Sequence, residues 1–201
     1  MAETNIEPLE PDLVKTSVGR FILFAPQHMW RCFLMKLQTK DLVLMAVYAA
    51  LFIVLDYLAN LLPKMPNGGS FGLGVIPLLL ASYHLGWKKG IAVGLLSIPL
   101  QYMTGQIWFL DFGQFTLDYI IAFGIYGIAS LFPNYKMFFS GVLITNGIRF
   151  ISSTLSGMWY FGLPLWESGA YNATYMVPTT LACLVFVPFV YARISRFIKK
   201  A

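Results

Sequence analysis

Long apolar stretches dominate this chain, and they show neither a single amphipathic stripe nor strict alternation. A soluble helix buries one face and keeps the other polar, whereas a membrane helix is apolar around its circumference. About 20 such residues cross a bilayer. On this basis the pattern predicts six helices, at roughly 41–62, 71–86, 90–105, 111–131, 137–161 and 173–197. Glycines and polar residues punctuate them. Gly68, Gly69 and Ser70 separate the first two, Gly86-Trp87-Lys88-Lys89-Gly90 turns the second into the third, and Phe132-Pro133-Asn134-Tyr135-Lys136 ends the fourth. The second and third are short for a span.

The first 40 residues differ. Glu3, Glu7, Glu10 and Asp12 with Pro8 and Pro11 make residues 1–18 a solvated tail without a signal-peptide pattern. Residues 19–37 mix aromatics with Arg20, Arg31 and Lys36 and are interrupted by Pro26, which suits an interfacial segment better than a span. The expected organisation is a tail and interfacial segment over 1–40 and one membrane domain over 41–197.

Composition agrees with this picture. Of the 201 residues, 58% are apolar and 11% charged, against about 25% charged in a soluble domain. Charge then sets orientation, since Lys and Arg accumulate on the cytoplasmic side. Lys15, Arg20, Arg31, Lys36 and Lys40 precede the first helix, Lys88 and Lys89 lie in the second turn, and Lys136 in the fourth. Arg193, Arg196, Lys199 and Lys200 end the chain. The opposite loops hold Lys64 alone. Both termini are therefore expected in the cytoplasm, and the +5 net charge is an orientation signal in a lipid bilayer with no need of nucleic acid.

The opposite side holds the candidate chemistry. Asp111, Asp118 and Glu167 stand there among Tyr102, Trp108, Phe109, Tyr119, Trp159, Tyr160, Phe161, Trp166, Tyr171 and Tyr175. Acids among aromatics suit a cationic or flat heteroaromatic ligand; an interfacial aromatic belt is the alternative reading. Asp118 is the most informative, because a carboxylate two turns inside a span needs a partner or water. Asp56 lies near the outer end of its helix. Arg149, inside the fifth helix, would pair with Asp118, hold a backbone carbonyl or line the pocket. Ala46 and Ala50, four apart, form a face on which another helix can approach closely. Gly68, Gly69 and Ser70 would serve as a gate or as a plain connector. Cys32 and Cys183 lie too far apart for a ligand set, and His28 and His84 share no helix, so neither a metal nor a cofactor is implied.

Taken in order, several segments resemble one family. Met65-Pro-Asn-Gly-Gly-Ser70 with Phe71-Gly-Leu-Gly-Val-Ile-Pro77, Thr104-Gly-Gln-Ile-Trp108 running to Gln114 and Leu117-Asp118-Tyr119, Arg149-Phe150 with Ser156-Gly157 and Phe161, and Tyr171-Asn172 with Tyr175-Met-Val-Pro178 are similar to the thiamine-binding S components of energy-coupling factor (ECF) vitamin transporters. The resemblance covers roughly 41–197. It implies an all-α integral membrane protein of six helices with a vitamin pocket near the outer face. It places a ligand-binding acid and Tyr on Asp118 and Tyr119, a stacking aromatic on Trp108, an outer aromatic on Phe161 and a ligand-contacting Asn on Asn172. Ser153 stands where the family has a His, and Glu167 where it has a Tyr. The small pair Ala46 and Ala50 falls where the family docks its transmembrane coupling protein.

The function so implied is capture of thiamine at a bacterial plasma membrane for ATP-driven import. The chain has no phosphate-binding Gly-x-x-x-x-Gly-Lys-Ser/Thr motif, so ATP would be used by separate ATPase subunits. A related vitamin, hydroxymethylpyrimidine or pyridoxine, is the alternative ligand. A stand-alone proton-coupled transporter, with Asp118 or Asp56 as carrier, is the alternative mechanism. An intramembrane enzyme is disfavoured because Ser70, Ser152 and Ser153 have no histidine base on a neighbouring helix.

Overall fold

The computed structural model describes residues 37–61, 69–105, 107–135 and 137–198, all within the compact unit Leu37–Ala201. The tail and nearly all of the interfacial segment expected over 1–40 lie outside the described residues, as do Gly68 and Cys32.

Among the described residues there are six helices. They are α1 (Thr39–Ala59), α2 (Val75–Leu85), α3 (Trp87–Met103), α4 (Phe112–Leu131), α5 (Ser140–Phe161) and α6 (Leu165–Ile198). A two-residue hairpin, β1 (Asn134–Tyr135) with β2 (Phe138–Phe139), joins α4 to α5. By length and composition α1, α4 and the Leu165–Arg196 part of α6 can each cross a membrane, and α2 is a shorter apolar helix. The all-α membrane architecture follows the hydropathy pattern. One boundary does not: α6 begins eight residues before the expected start at 173. The Pro164 carbonyl accepts from the Ser168 amide at 3.0 Å, so the polar stretch through Glu167 forms helix where a loop was expected.

The two ends of the bundle differ as the charges require. Lys40 and Asp41 at the start of α1, His84 and Lys89 around the α2–α3 turn, and Tyr191 and Ser195 near the end of α6 line one cleft. The start of α1 and the end of α6 therefore lie on one side of the bundle. There Lys89 Nζ lies 2.7 Å from Asp41 Oδ1, and Tyr48 Oη lies 2.8 Å from His84 Nδ1.

Close helix packing depends on small residues, because lipid tails compete equally well for large apolar ones. A Cβ on Gly94 of α3 would collide with the Phe123 carbonyl of α4, and one on Gly127 would collide with the Ile91 backbone. A Cβ on Gly90 would sit 2.8 Å from Ser82 Cα and 3.0 Å from Gly127 Cα. Polar bonds stitch the same seam. Ser82 Oγ donates to the Gly127 carbonyl at 2.5 Å, and Tyr126 Oη donates to Asn146 Oδ1 at 3.0 Å. Around it pack Phe52, Leu78, Leu79, Val93, Tyr126 and Val142, all wholly buried.

Gly94→Val should therefore lower the thermal unfolding midpoint of the purified protein, with an overpacking cost of about 1–3 kcal/mol. Gly147→Ala, where a Cβ meets nothing within 4 Å, should leave stability unchanged or raise it by up to about 1 kcal/mol, because alanine is the better helix former. A Gly94 variant as stable as the parent would disprove the backbone-to-backbone seam.

Candidate functional site

Opposite the basic end, the helices enclose a cavity of about 530 Å³. All six helices contribute to the wall, α2 only through its first residue, Val75, and the α1–α2, α3–α4 and α5–α6 connections complete it. Trp108, Asp118, Tyr119, Ser153, Phe161 and Asn172 all line it, as do Gly69 and Ser70. The residues singled out from sequence are thus brought together from four segments far apart in the chain. Glu167 is the exception: it is exposed and lies outside the lining, while the next residue, Ser168, is buried and faces the cavity. The earlier start of α6 accounts for this, since adjacent residues on a helix diverge by about 100°.

The lower half of α4 shapes the acid's position. Asp111 caps this helix through Oδ1, which accepts from the Gly113 amide at 2.7 Å. That cap, rather than a ligand, is its observed partner. Residues Thr116–Ile121 then form a π-helical stretch. Such wide turns leave backbone groups out of the regular ladder and recur at functional sites. Here the Leu117 carbonyl accepts from Ser152 Oγ on α5 at 2.7 Å.

Asp118 lies in this turn. Its Oδ2 accepts from Gln114 Nε2 at 2.9 Å and from Ser156 Oγ at 2.6 Å. Gln114 is itself held, because its Oε1 accepts from the Leu110 amide at 3.1 Å. The carboxylate is thus braced by neutral donors on one oxygen, and neither of these bonds occupies Oδ1. A pair with Arg149, one of the three readings left open for that residue, is not observed among the described residues. The Arg149 Nη1 donates to Tyr126 Oη at 3.2 Å, and the guanidinium stacks over Phe123 and Tyr126 at 5.1 and 5.7 Å. It lines the cavity, one of the readings left open by sequence.

Aromatic rings form one wall. Phe115, Tyr119 and Phe123 recur every fourth residue on α4 and stack at centroid distances of 5.2 and 6.3 Å. Tyr119 Oη accepts from the Trp108 amide at 2.8 Å, which ties the α3–α4 connection over the cavity. Trp108 remains largely exposed there. On the far wall Tyr175 Oη donates to Asn172 Oδ1 at 2.5 Å, and Asn172 Nδ2 donates to the Ser168 carbonyl at 3.0 Å. The end of the 65–70 loop is latched to α6, with the Gly69 amide donating to Tyr171 Oη at 3.0 Å. A Cβ at Gly69 would lie 2.8 Å from Tyr171 Oη and 2.8 Å from Tyr175 Cε1, so a side chain there would have to displace these tyrosine rings.

Several lining residues were not singled out as site residues from sequence: Asn60, Gln101, Gln114 and Ser168. A glutamine inside an apolar helix was the available signal for Gln101, because amides in spans seek partners across helices. Ala46 and Ala50 lie away from the cavity on an exposed face of α1 that also carries Val43, Val47, Leu51 and Val54.

Comparison with known proteins identifies the family. The thiamine transporter protein family model matches residues 42–199. Thiamine transporter ThiT of Bacillus subtilis (strain 168) is 31% identical over 186 residues, which cover 81% of this chain and 97% of that protein. Among solved structures, ThiT from Listeria monocytogenes superposes with a TM-score of 0.65 at 19% identity, over 78% of this chain and 95% of that one. The S component of a bacterial ECF transporter superposes with a TM-score of 0.59 at 19% identity, over 81% of this chain and 99% of that one. The chain belongs to the thiamine transporter protein family. It is a multi-pass membrane protein of a transport family and not an enzyme.

The α5–α6 contact beside the cavity can be tested without a ligand. A Cβ on Gly157 would collide with Ser168 Oγ. Gly157→Ala should destabilise the purified protein by about 1–3 kcal/mol. Adding Ser168→Ala should recover part of that loss. Strictly additive effects in the double-mutant cycle would show that the two residues do not touch.

Proposed function

We propose that this chain is the substrate-capturing S component of an ECF-type importer and that it takes thiamine from outside the cell. The observation that carries the reading is Asp118, a carboxylate at membrane depth braced by Gln114 and Ser156 on the wall of a 530 Å³ cavity. A carboxylate there is costly without a role. A cationic heteroaromatic ligand supplies one, with its charged or amino-bearing part toward Asp118 and its rings against Trp108, Tyr119 and Phe161. Asn172 and Ser153 add hydrogen-bonding capacity on the α5–α6 side. The B. subtilis relative is named a thiamine transporter, which supports thiamine as the ligand.

Binding and energy supply would be separate tasks. The loop bearing Gly68, Gly69 and Ser70 closes over the occupied cavity, and its Gly69–Tyr171 bond already holds one end near α6. With no phosphate-binding motif in the chain, ATP is used by partner subunits. A transmembrane coupling protein docks on the α1 face around Ala46 and Ala50, where exposed small and β-branched residues allow close approach. The membrane domain expected over 41–197 is the unit that does this, and the family match over 42–199 supports that extent.

One observation favours a second ligand reading. Ser153 and the exposed Glu167 replace the His and Tyr of the family pattern, so a hydroxymethylpyrimidine or pyridoxine would find fewer missing contacts than thiamine.

Asp118→Asn should weaken thiamine binding by at least about tenfold while leaving the thermal midpoint near that of the parent. Titration of the purified proteins checks this, and equal affinities would remove Asp118 from the site. Mass spectrometry of small molecules that co-purify with the parent distinguishes thiamine from the smaller vitamins. Ala46→Trp should leave that affinity unchanged but abolish uptake in cells that contain the importer's other subunits. Normal uptake by the variant would exclude this face as the docking surface.

A further inference from the structure

Two residues that line the cavity carry buried hydrogen-bond donors without a partner in the protein. Gln101 lies in the last turn of α3 and is only 5% exposed, yet it lines the cavity. Its Nε2 is buried and has no hydrogen-bond partner. A second lining residue, Arg149, has a buried Nε in the same condition. Burying an amide donor without a partner is unfavourable, and native proteins rarely do so away from functional positions.

The surrounding fold holds Gln101 where it is. Gly90 and Gly94 press α3 backbone-to-backbone against α4, the helix that carries Asp118 and Tyr119. Pro99 lies within α3 one turn before its end, and proline breaks the regular ladder and bends a helix there. Thr104 Oγ1 then donates to the Gln101 carbonyl at 3.0 Å and closes the final turn. The backbone carbonyl of Gln101 is thus satisfied locally, while the buried Nε2 of this cavity-lining residue has no partner in the protein.

We propose that Gln101 is a further ligand-binding residue, donating through its side-chain amide to an acceptor atom of the bound vitamin. The acceptor is an oxygen or ring nitrogen distinct from the amino or cationic part that faces Asp118. The site therefore selects a ligand with both characters, a donor or positive charge for the Asp118 carboxylate and an acceptor for Gln101, with Arg149 Nε as a second donor nearby. A purely hydrophobic cation of the same size would leave the amide unpaired and bind less well. This inference rests on the vitamin-binding reading of the cavity.

The test uses the full-length protein purified in detergent, with Gln101→Met and Gln101→Leu as variants of similar volume that lack the donor. Each is titrated with thiamine, its hydroxymethylpyrimidine half and pyridoxine, and each is melted without ligand. The affinity for whichever of the three the parent binds tightest should fall about tenfold in the variants. The unliganded melting temperature should stay the same or rise, because an unpaired buried amide has been removed. A residue with only a packing role would give the opposite pair of results. Affinity within about threefold of the parent overturns the proposal. So does a lowered unliganded melting temperature, or failure of both variants to fold. A parent that prefers pyridoxine or the pyrimidine half overturns the thiamine reading and leaves the Gln101 comparison intact. A parent that binds none of the three overturns the vitamin reading and the Gln101 proposal with it.

Discussion

The close contact of α3 with α4 is the constraint on which the site depends. In a bilayer the solvent is as apolar as a leucine side chain, so burial of large residues does not by itself hold helices together. Shape must do so, and here it is the absence of side chains that matters. Gly90, Gly94 and Gly127 bring two backbones into direct contact, after which Ser82 can reach the Gly127 carbonyl and Tyr126 can reach Asn146. The polar bonds are thus consequences of proximity as well as contributors to it. Both helices reach the cavity beyond the seam, so its geometry sets the separation of Gln101 from Asp118.

Much of this was legible in the sequence, and what was not has specific physical causes. Six apolar stretches gave the helices, and the charges gave their orientation, because each depends on composition summed over many residues. Asp118 could be singled out because a carboxylate inside a span is unusual in itself, whereas the roles of Trp108 and Asn172 came from the family resemblance. Glu167 was misplaced because its position turns on where α6 begins. Pro164 starts that helix with its carbonyl, a local event that hydropathy does not register. For Arg149 the sequence left open a pair with Asp118, a backbone carbonyl or the pocket wall. It sits against the rings of Phe123 and Tyr126, partners that only the packing of α4 on α5 reveals.

The contrast between the two ends of the bundle is a division of electrostatic labour. At the basic end, Lys89 and Asp41 neutralise each other across α1 and α3, and Tyr48 meets His84. Those groups are satisfied by the protein. At the cavity end, the hydrogen bonds to Asp118 from Gln114 and Ser156 come from neutral donors, and Arg149 is held by rings and a phenol. Charge has been positioned there without being cancelled by a protein ion pair between the two. Such an arrangement is unfavourable in the empty protein and becomes favourable when a ligand of complementary charge enters.

The π-helical turn explains how that arrangement is held. A regular helix would commit every backbone carbonyl between Thr116 and Ile121 to its own ladder. The wider turn lets the Leu117 carbonyl accept from Ser152 on α5, one residue before the acid. Ser156, one turn further along α5, then reaches Asp118 itself. Two hydroxyls on one face of α5 therefore grip α4 at consecutive residues, through backbone and side chain in turn. This fixes the carboxylate's direction without adding a positive charge beside it. A lysine or arginine in place of Ser156 would orient Asp118 equally well, but it would also neutralise the group that a cationic ligand needs. Neutral support is the chemical choice that keeps the acid available.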